Sequence, residues 1–189
     1  TFTNTGTLIV GSLGTGYLTL GVNGEIESNT TYIGSLGGSN GSATIDGNSA
    51  LWNNTGQLRV GNSGTGQLNV NNGQINTGSM YIGGGSNGIG TVSVDGSNAN
   101  LASTGAIIMS NASGASATLN IRNDASTSAS YIADGTGSSE INMEGGSLDV
   151  SGGNVEVDTF NLSGGTVQVG TLTTSGNVFN FTGGMLAAQ

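Results

Sequence analysis

Hydrophobic and polar residues alternate in short segments along the whole chain, for example LIV at residues 8–10, LRV at 58–60 and VSV at 92–94. Alternation with a period of two is typical of β-strands, in which the flanking apolar side chains face the core and the middle one faces outward. Clusters of Gly, Asn and Ser, such as GSLGTG at 11–16, separate these segments and supply the positive-φ turns that corners need. No segment combines helix-period hydrophobicity with capping residues. The pattern therefore predicts an all-β protein.

A tandem repeat organises these segments. The stretch TGTLIVGSLGTGYLTL at residues 5–20 returns as TGQLRVGNSGTGQLNV at 55–70, which defines a unit of roughly 49 residues. We expect a single solenoid domain over residues 1–189. It comprises regular repeats at 5–54 and 55–103, a degraded repeat at 104–152 and irregular C-terminal coils at 153–189.

Each unit contains two related halves, so equivalent apolar residues recur at intervals of roughly 22–27 residues, the length of one solenoid coil. A first set is Val10, Ile33, Val60, Ile82, Met109 and Ile132; a second is Leu20, Ile45, Val70, Val94, Ile121 and Met143; a third is Ile26, Leu51, Ile75, Leu101 and Ala125. Three sets predict a single-stranded, right-handed parallel β-helix with three short strands per coil and about seven or eight coils. A β-propeller is less favoured because its blades need four antiparallel strands. After residue 150 the spacing shortens, and Phe179 and Phe181 share a strand face that could plug the C-terminal end.

The outward residue of the first strand forms a column along the axis. Coil by coil, we expect this column to contain Ile9, Tyr32, Arg59, Tyr81, Ile108 and Tyr131. Stacked tyrosines around a guanidinium form either a ladder that only stabilises the sheet or an exposed strip for a saccharide or protein partner. The candidate partner-binding residues are Tyr32, Arg59, Tyr81 and Tyr131.

A second outward column is polar and consists of Thr19, Thr44, Asn69, Ser93, Asn120 and Asn142. Flat rows of Thr can bind ice, but here Asn and Ser interrupt the Thr residues. The column is therefore better interpreted as a hydrogen-bonding ladder.

Acidic residues provide little evidence for catalysis or metal binding. Asp46, Asp95 and Glu144 recur every second coil, with Asn71 and Arg122 expected between them, which fits surface ion pairs or turn caps. The calcium-binding nonapeptide repeat is absent. Glu25 and Glu27 flank Ile26 as a possible glycosidase pair, but residues at i and i+2 share a face without converging on a substrate. With no His in the chain, we predict no catalytic residues, no cofactor and no metal site.

Composition narrows the possible partners. The net charge is −9, and the basic residues are only Arg59 and Arg122. Binding to nucleic acids or anionic membranes needs Lys and Arg, so the charge disfavours both, and we expect no nucleic-acid partner and no membrane insertion of this segment. The sequence contains no apolar run long enough to span a bilayer and no secretory signal at its start, where it begins inside a repeat.

The motifs TGxLxVGxxGTGxLxV (residues 5–20 and 55–70) and YIGxxxGSNGxxxxDG (32–47 and 81–96) resemble repeats of bacterial autotransporter (type V secretion) passenger domains and of PEP-CTERM-associated secreted proteins. The resemblance covers the first hundred residues well. It is poorer in the third unit, where Ser110, Ala115 and Ala133 stand at glycine positions of the motif. It implies a secreted or cell-surface β-helix and supplies no active site.

Together these observations predict a non-enzymatic, extracellular or cell-surface structural or adhesive solenoid. It would be a fragment of a larger secreted surface protein, or a filament or surface-matrix subunit that self-associates end-to-end or laterally. The alternative is a carbohydrate-binding module that uses the Tyr/Arg column, with cell-surface polysaccharide as partner. A polysaccharide-degrading enzyme and an ice-binding protein are less favoured.

Overall fold

The computed structural model describes residues 1–189, with the exception of the Asn177 side chain. The described chain is all-β, as predicted, and contains no helix able to cross a membrane. Its thirteen strands are β1 (Phe2–Val10), β2 (Thr15–Leu20), β3 (Glu25–Ile33), β4 (Asn40–Val60), β5 (Thr65–Ile82), β6 (Ile89–Asp95), β7 (Asn100–Ser103), β8 (Ile107–Met109), β9 (Ser116–Arg122), β10 (Ser126–Ser128), β11 (Ile132–Asp134), β12 (Ser138–Phe181) and β13 (Met185–Ala188).

The strands stack in parallel as a β-solenoid, which confirms the predicted fold class. Strand β1 pairs with β3, β3 with β4 and β4 with β5, each in parallel. The long strands β4, β5 and β12 each continue through corners of the coil. The solenoid makes about 6 turns, slightly fewer than the seven or eight expected.

Each coil contributes to three faces. The tyrosine face comprises residues 8–10, 31–33, 58–60, 80–82, 107–109 and 132–134. The asparagine face comprises residues 18–20, 43–45, 68–70, 92–94, 119–121 and 141–143. The third face carries, in register, Ile26, Trp52, Ile75, Leu101, Thr127 and Leu148.

Inward side chains from the three faces form one continuous apolar core. Ile33, Leu58, Leu68 and Ile75 are fully buried, and the same holds in β12 for Phe160. Each such side chain contributes roughly 1.5–3 kcal/mol of burial free energy, so the stacked coils stabilise one another.

Two predicted members of the third set are wrong. Trp52, rather than Leu51, pairs with Ile26 and is fully buried, because the pairing shifts register at the corner between Asp46 and Leu51. Thr127, rather than Ala125, pairs with Leu101, because Ala125 closes a turn with its N–H bonded to the Arg122 carbonyl oxygen at 3.0 Å. In both cases the corner contains a different number of residues from the equivalent corners of the adjacent coils.

The C-terminal coils are tighter, as the sequence predicts. Hydrogen-bonded equivalents lie 19 residues apart at Asn161 and Asn142, compared with 27 at Asn120 and Ser93. Phe179 makes an edge contact with buried Phe160, with ring centroids 5.9 Å apart, and stacks on Phe181 at 5.9 Å. The two rings cover this end of the core while 39% and 53% of their surfaces remain exposed.

Glycine is required where the tyrosine face turns the first corner. Gly34 has φ of 73°, and a Cβ there would collide with the backbone carbonyl of Thr65. The third repeat places Ser110 at the equivalent corner with φ of 46°, and its hydroxyl donates to Asp134 Oδ1 at 2.7 Å. This hydrogen bond to the next coil accompanies the departure from glycine.

We expect Gly34→Ala to lower the free energy of unfolding by about 2–4 kcal/mol, because it adds left-handed strain to a backbone collision. Gly37→Ala is the matched control, since no atom lies within 4 Å of its Cβ position. The control should change stability by less than about 0.5 kcal/mol in urea unfolding. Equal effects of the two substitutions would contradict the proposed corner constraint.

Candidate functional site

The predicted column on the tyrosine face forms over five coils. Ile9, Tyr32, Arg59, Tyr81 and Ile108 are consecutive register partners. The Arg59 guanidinium carbon lies over the Tyr81 ring, 4.3 Å from its centroid, and 6.0 Å from the centroid of Tyr32. The structure therefore contains the predicted aromatic–guanidinium–aromatic stack.

Neighbouring amides hold the Arg59 guanidinium in place. Its Nε and Nη2 donate to Gln57 Oε1 at 3.1 and 2.9 Å, and Nη1 donates to Asn62 Oδ1 at 3.2 Å. Asn62 in turn donates to the Ser35 carbonyl oxygen at 3.1 Å. The cation is therefore bound to its own coil and to the one before it.

Tyr131 does not belong to this column. Ile132 pairs with Ile107 in the inward position, so Ala133 is the outward partner of Ile108. Tyr131 precedes β11 and is 45% exposed. The inward position opposite Ile107 requires an apolar side chain, and Ile132 fills it. Two further predictions are wrong for the same reason. Ile132 was expected to be equivalent to Met109 in the first apolar set, but Asp134 pairs with Met109. Ala133 was expected at a corner that glycine occupies in the other repeats, but it lies within strand β11.

The stack leaves little aromatic surface for a ligand. Tyr32 and Tyr81 each direct one side toward Arg59 and have Ile9 and Ile108 as their register neighbours on the other side. Sugar recognition by aromatic side chains needs an open ring face, whereas in a cross-strand ladder the ring faces contact side chains of the neighbouring coils. The geometry favours the stabilising interpretation of the column.

Tyr81→Leu should lower the free energy of unfolding by about 1 kcal/mol, because it removes the closer cation–π contact. Tyr81→Phe keeps the ring beneath Arg59 and should differ from the parent by less than about 0.5 kcal/mol. Urea unfolding of the three proteins tests the stack. Equal losses for Leu and Phe would assign the effect to the hydroxyl instead.

The polar column on the asparagine face forms with the predicted register, and its C-terminal part is a hydrogen-bonded ladder. Asn120 donates to Ser93 at 3.3 Å, and Asn142 donates to Asn120 at 3.0 Å. Asn161 and Asn180, which the sequence pattern did not single out, continue the ladder at 2.7 and 2.6 Å. Their signal is an Asn between apolar residues in FNL and FNF at 160–162 and 179–181.

Asn142→Asp should destabilise the fold by about 1–3 kcal/mol at neutral pH, because a carboxylate cannot donate to Asn120 Oδ1. Repulsion between the introduced carboxylate and Asn120 Oδ1 should raise the pKa of the carboxyl group above its pKa in the unfolded chain. The penalty is then largest above the folded pKa and declines as pH falls through it, when the protonated group can donate again.

Asn69→Asp is the matched control in the same column. Asn69 Oδ1 accepts from Gln67 Nε2 at 3.4 Å, an interaction that a carboxylate preserves. Urea unfolding measured from neutral to acidic pH should show a pH-dependent difference for Asn142→Asp alone. Identical pH profiles for the two variants would contradict the direction of the ladder.

The recurring carboxylates lie at a corner and have polar neighbours. Asp46 pairs with Asn72 rather than with the expected Asn71, because the register shifts by one residue after Ile45. Asp95 pairs with Arg122, whose Nε lies 3.2 Å from Glu144 Oε2. The two side chains of this ion pair are 39% and 53% exposed, so it contributes at most about 1 kcal/mol.

Three further acids accept hydrogen bonds from hydroxyl or backbone groups. Glu25 Oε2 accepts from the Thr1 hydroxyl at 2.7 Å, and Glu27 Oε2 accepts from the Thr3 hydroxyl at 3.4 Å. Hydrogen bonds from Ser151 lower the pKa of Asp149. Among the described side chains, no three His, Cys, Asp or Glu residues converge as a metal site would require.

The sequence did not predict a groove of about 750 Å³ that follows the corner between the third face and the tyrosine face. Its floor contains Ser28, Asn54 and Thr77, all nearly inaccessible to solvent. Trp52 Nε1 donates to Ser28 Oγ at 2.9 Å, and Asn54 Nδ2 donates to Thr77 Oγ1 at 3.2 Å. The available signal was a polar triplet at register-equivalent positions of three coils, namely ESN at 27–29, NNT at 53–55 and NTG at 76–78.

Comparisons with protein families, with curated proteins and with solved structures returned no significant match.

Proposed function

We propose that this chain is a non-enzymatic structural or adhesive β-solenoid that acts outside the cell or at the bacterial cell surface. It would serve as a section of a larger surface protein, or as a subunit of a filament or surface matrix. One observation carries the proposal: outward side chains bind one another between coils, in the Arg59 stack and in the asparagine ladder. Such ladders support a stiff rod with a repetitive surface.

The surface chemistry is consistent with this role. Charged residues make up 7% of the chain, and Lys is absent. Uncharged amides and hydroxyls therefore cover the rod, so salt screening has few surface ion pairs to weaken. The resemblance of the first two repeats to secreted passenger domains supports an extracellular location.

The two ends of the rod support self-association. Among the described strands, β1 pairs only with β3 and β13 pairs only with β12, which leaves one edge free at each end. Exposed Phe2, Leu13 and Val22 lie in the first coil, and exposed Phe181 and Met185 lie in the last. Unpaired strand edges beside apolar side chains favour pairing with another chain or with further coils.

Sedimentation velocity over a wide range of protein concentration tests the association. We expect the parent chain to form larger species as concentration rises, and Phe181→Lys to shift the distribution toward monomer by placing a charge at the end of the core. Negative-stain electron microscopy should show elongated particles whose length increases with protein concentration.

Leu36→Lys is the matched control, because Leu36 is also an exposed apolar residue but lies in a corner loop. Loss of association with Leu36→Lys alone would favour lateral contacts over end-to-end contacts. A parent chain that stays monomeric at every concentration would contradict self-association. Release of reducing ends from a panel of acidic and neutral polysaccharides would contradict a non-enzymatic role.

A further inference from the structure

We propose that the groove between the third face and the tyrosine face binds an extended, uncharged oligosaccharide that lies along the solenoid axis. The groove is lined by residues from five successive coils, from Thr3 in the first to Thr104 in the fifth. Its volume of about 750 Å³ lies within the range of established ligand sites. This proposal is independent of self-association and locates glycan recognition away from the Tyr/Arg column.

The floor of the groove is rigid because its polar groups are paired with one another. Ser28 Oγ donates to Asn54 Oδ1 at 2.9 Å, and Thr31 Oγ1 lies 2.9 Å from the same oxygen. Thr77 Oγ1 lies 3.0 Å from the Ser79 carbonyl oxygen. A buried network with paired donors and acceptors fixes its side chains, so binding would not have to order the floor.

The walls retain hydrogen-bonding capacity. Asn53 and Asn76 both line the groove, and Asn76 Nδ2 donates to Asn53 Oδ1 at 2.8 Å. This bond uses neither the Asn53 amide protons nor the Asn76 side-chain oxygen, so both groups keep their capacity to bind a ligand. On the opposite wall, Asn29 and Thr55 are exposed, and their side-chain oxygens lie 3.5 Å apart. Amides that offer a donor and an acceptor side by side match the adjacent hydroxyl groups of a sugar ring.

The lining excludes other classes of ligand. Glu27 is the only charged residue among the lining groups, and no Lys or Arg is present there to neutralise an anionic polymer. No aromatic or large aliphatic side chain lines the groove, which disfavours a lipid. The threonine methyl groups supply the small apolar contacts that suit sugar C–H groups.

Spacing distinguishes a glycan from a peptide. Equivalent groove residues on adjacent coils lie about 4.8 Å apart, whereas an extended peptide repeats about every 3.3 Å. A peptide that binds a sheet usually adds to a free strand edge, but in the middle coils β4 pairs with both β3 and β5. A pyranose unit with its linkage is longer than one peptide residue, so a glycan follows the coil repeat more closely.

Isothermal titration calorimetry with the full chain tests the proposal. The probes are cello-, xylo-, laminari- and malto-oligosaccharides from disaccharide to octasaccharide, together with oligogalacturonates and chitosan oligosaccharides. At least one neutral series should bind, with affinity that rises with length and levels off at about five sugar units, one per lining coil. The double variant Asn53→Ala/Asn76→Ala should weaken binding about tenfold or more, because it removes both wall amides.

The matched control is Gln67→Ala/Asn69→Ala, which removes a hydrogen-bonded amide pair from the asparagine face and should leave affinity unchanged. Glu27→Gln removes the only charge of the lining, so loss of chitosan binding in this variant would assign that binding to the carboxylate. Chemical-shift perturbation in the parent chain should centre on Asn53, Asn76 and Thr55, a readout that does not depend on any variant folding. The proposal is overturned by no binding of any neutral series, by unchanged affinity of the groove variant, by shifts centred elsewhere, or by chitosan binding that requires Glu27.

Discussion

Parallel stacking in register is the constraint on which the rest of this structure depends. Strands of the middle coils pair with the coils above and below, so backbone hydrogen bonds fix neighbouring coils about 4.8 Å apart. Within the paired strands of the middle coils, a side chain then has register partners directly above and below it. The residue type that a position tolerates therefore depends on the side chains at the equivalent positions of the adjacent coils.

This constraint explains the chemistry of the surface and the interior together. Like charges stacked at this distance would repel one another, and the carboxylates of one corner are separated by Asn72 and Arg122. Amides stack favourably because each offers a donor to one neighbour and an acceptor to the other, as Asn142 does between Asn120 and Asn161. The Arg59 guanidinium tolerates its place in a column because tyrosine rings and amide oxygens surround it.

The same constraint produces the groove. Where the coil turns between two faces, the side chains Ser28, Asn54 and Thr77 form a buried polar ladder rather than an apolar one. Trp52 joins this ladder through its ring nitrogen, so the apolar core and the polar floor share a residue. The exposed amides and hydroxyls above this floor are held at the coil repeat, and that regularity is what would recognise a repeating polymer.

The sequence alone determined the all-β solenoid and the inward and outward alternation. It also determined the tyrosine-face column through the first five coils and all six predicted members of the asparagine-face column. It could do so because alternation has a fixed period of two and the first two repeats share their apolar and glycine positions. The tertiary structure decided what happens at the corners: Trp52 rather than Leu51, Asn72 rather than Asn71, and Ala133 rather than Tyr131 in the tyrosine column. Corner lengths differ from coil to coil, and burial, not spacing, selects which residue resumes the inward position after each turn. The groove also emerged only from the structure, because its walls combine residues from two faces and five coils that no single segment of sequence brings together.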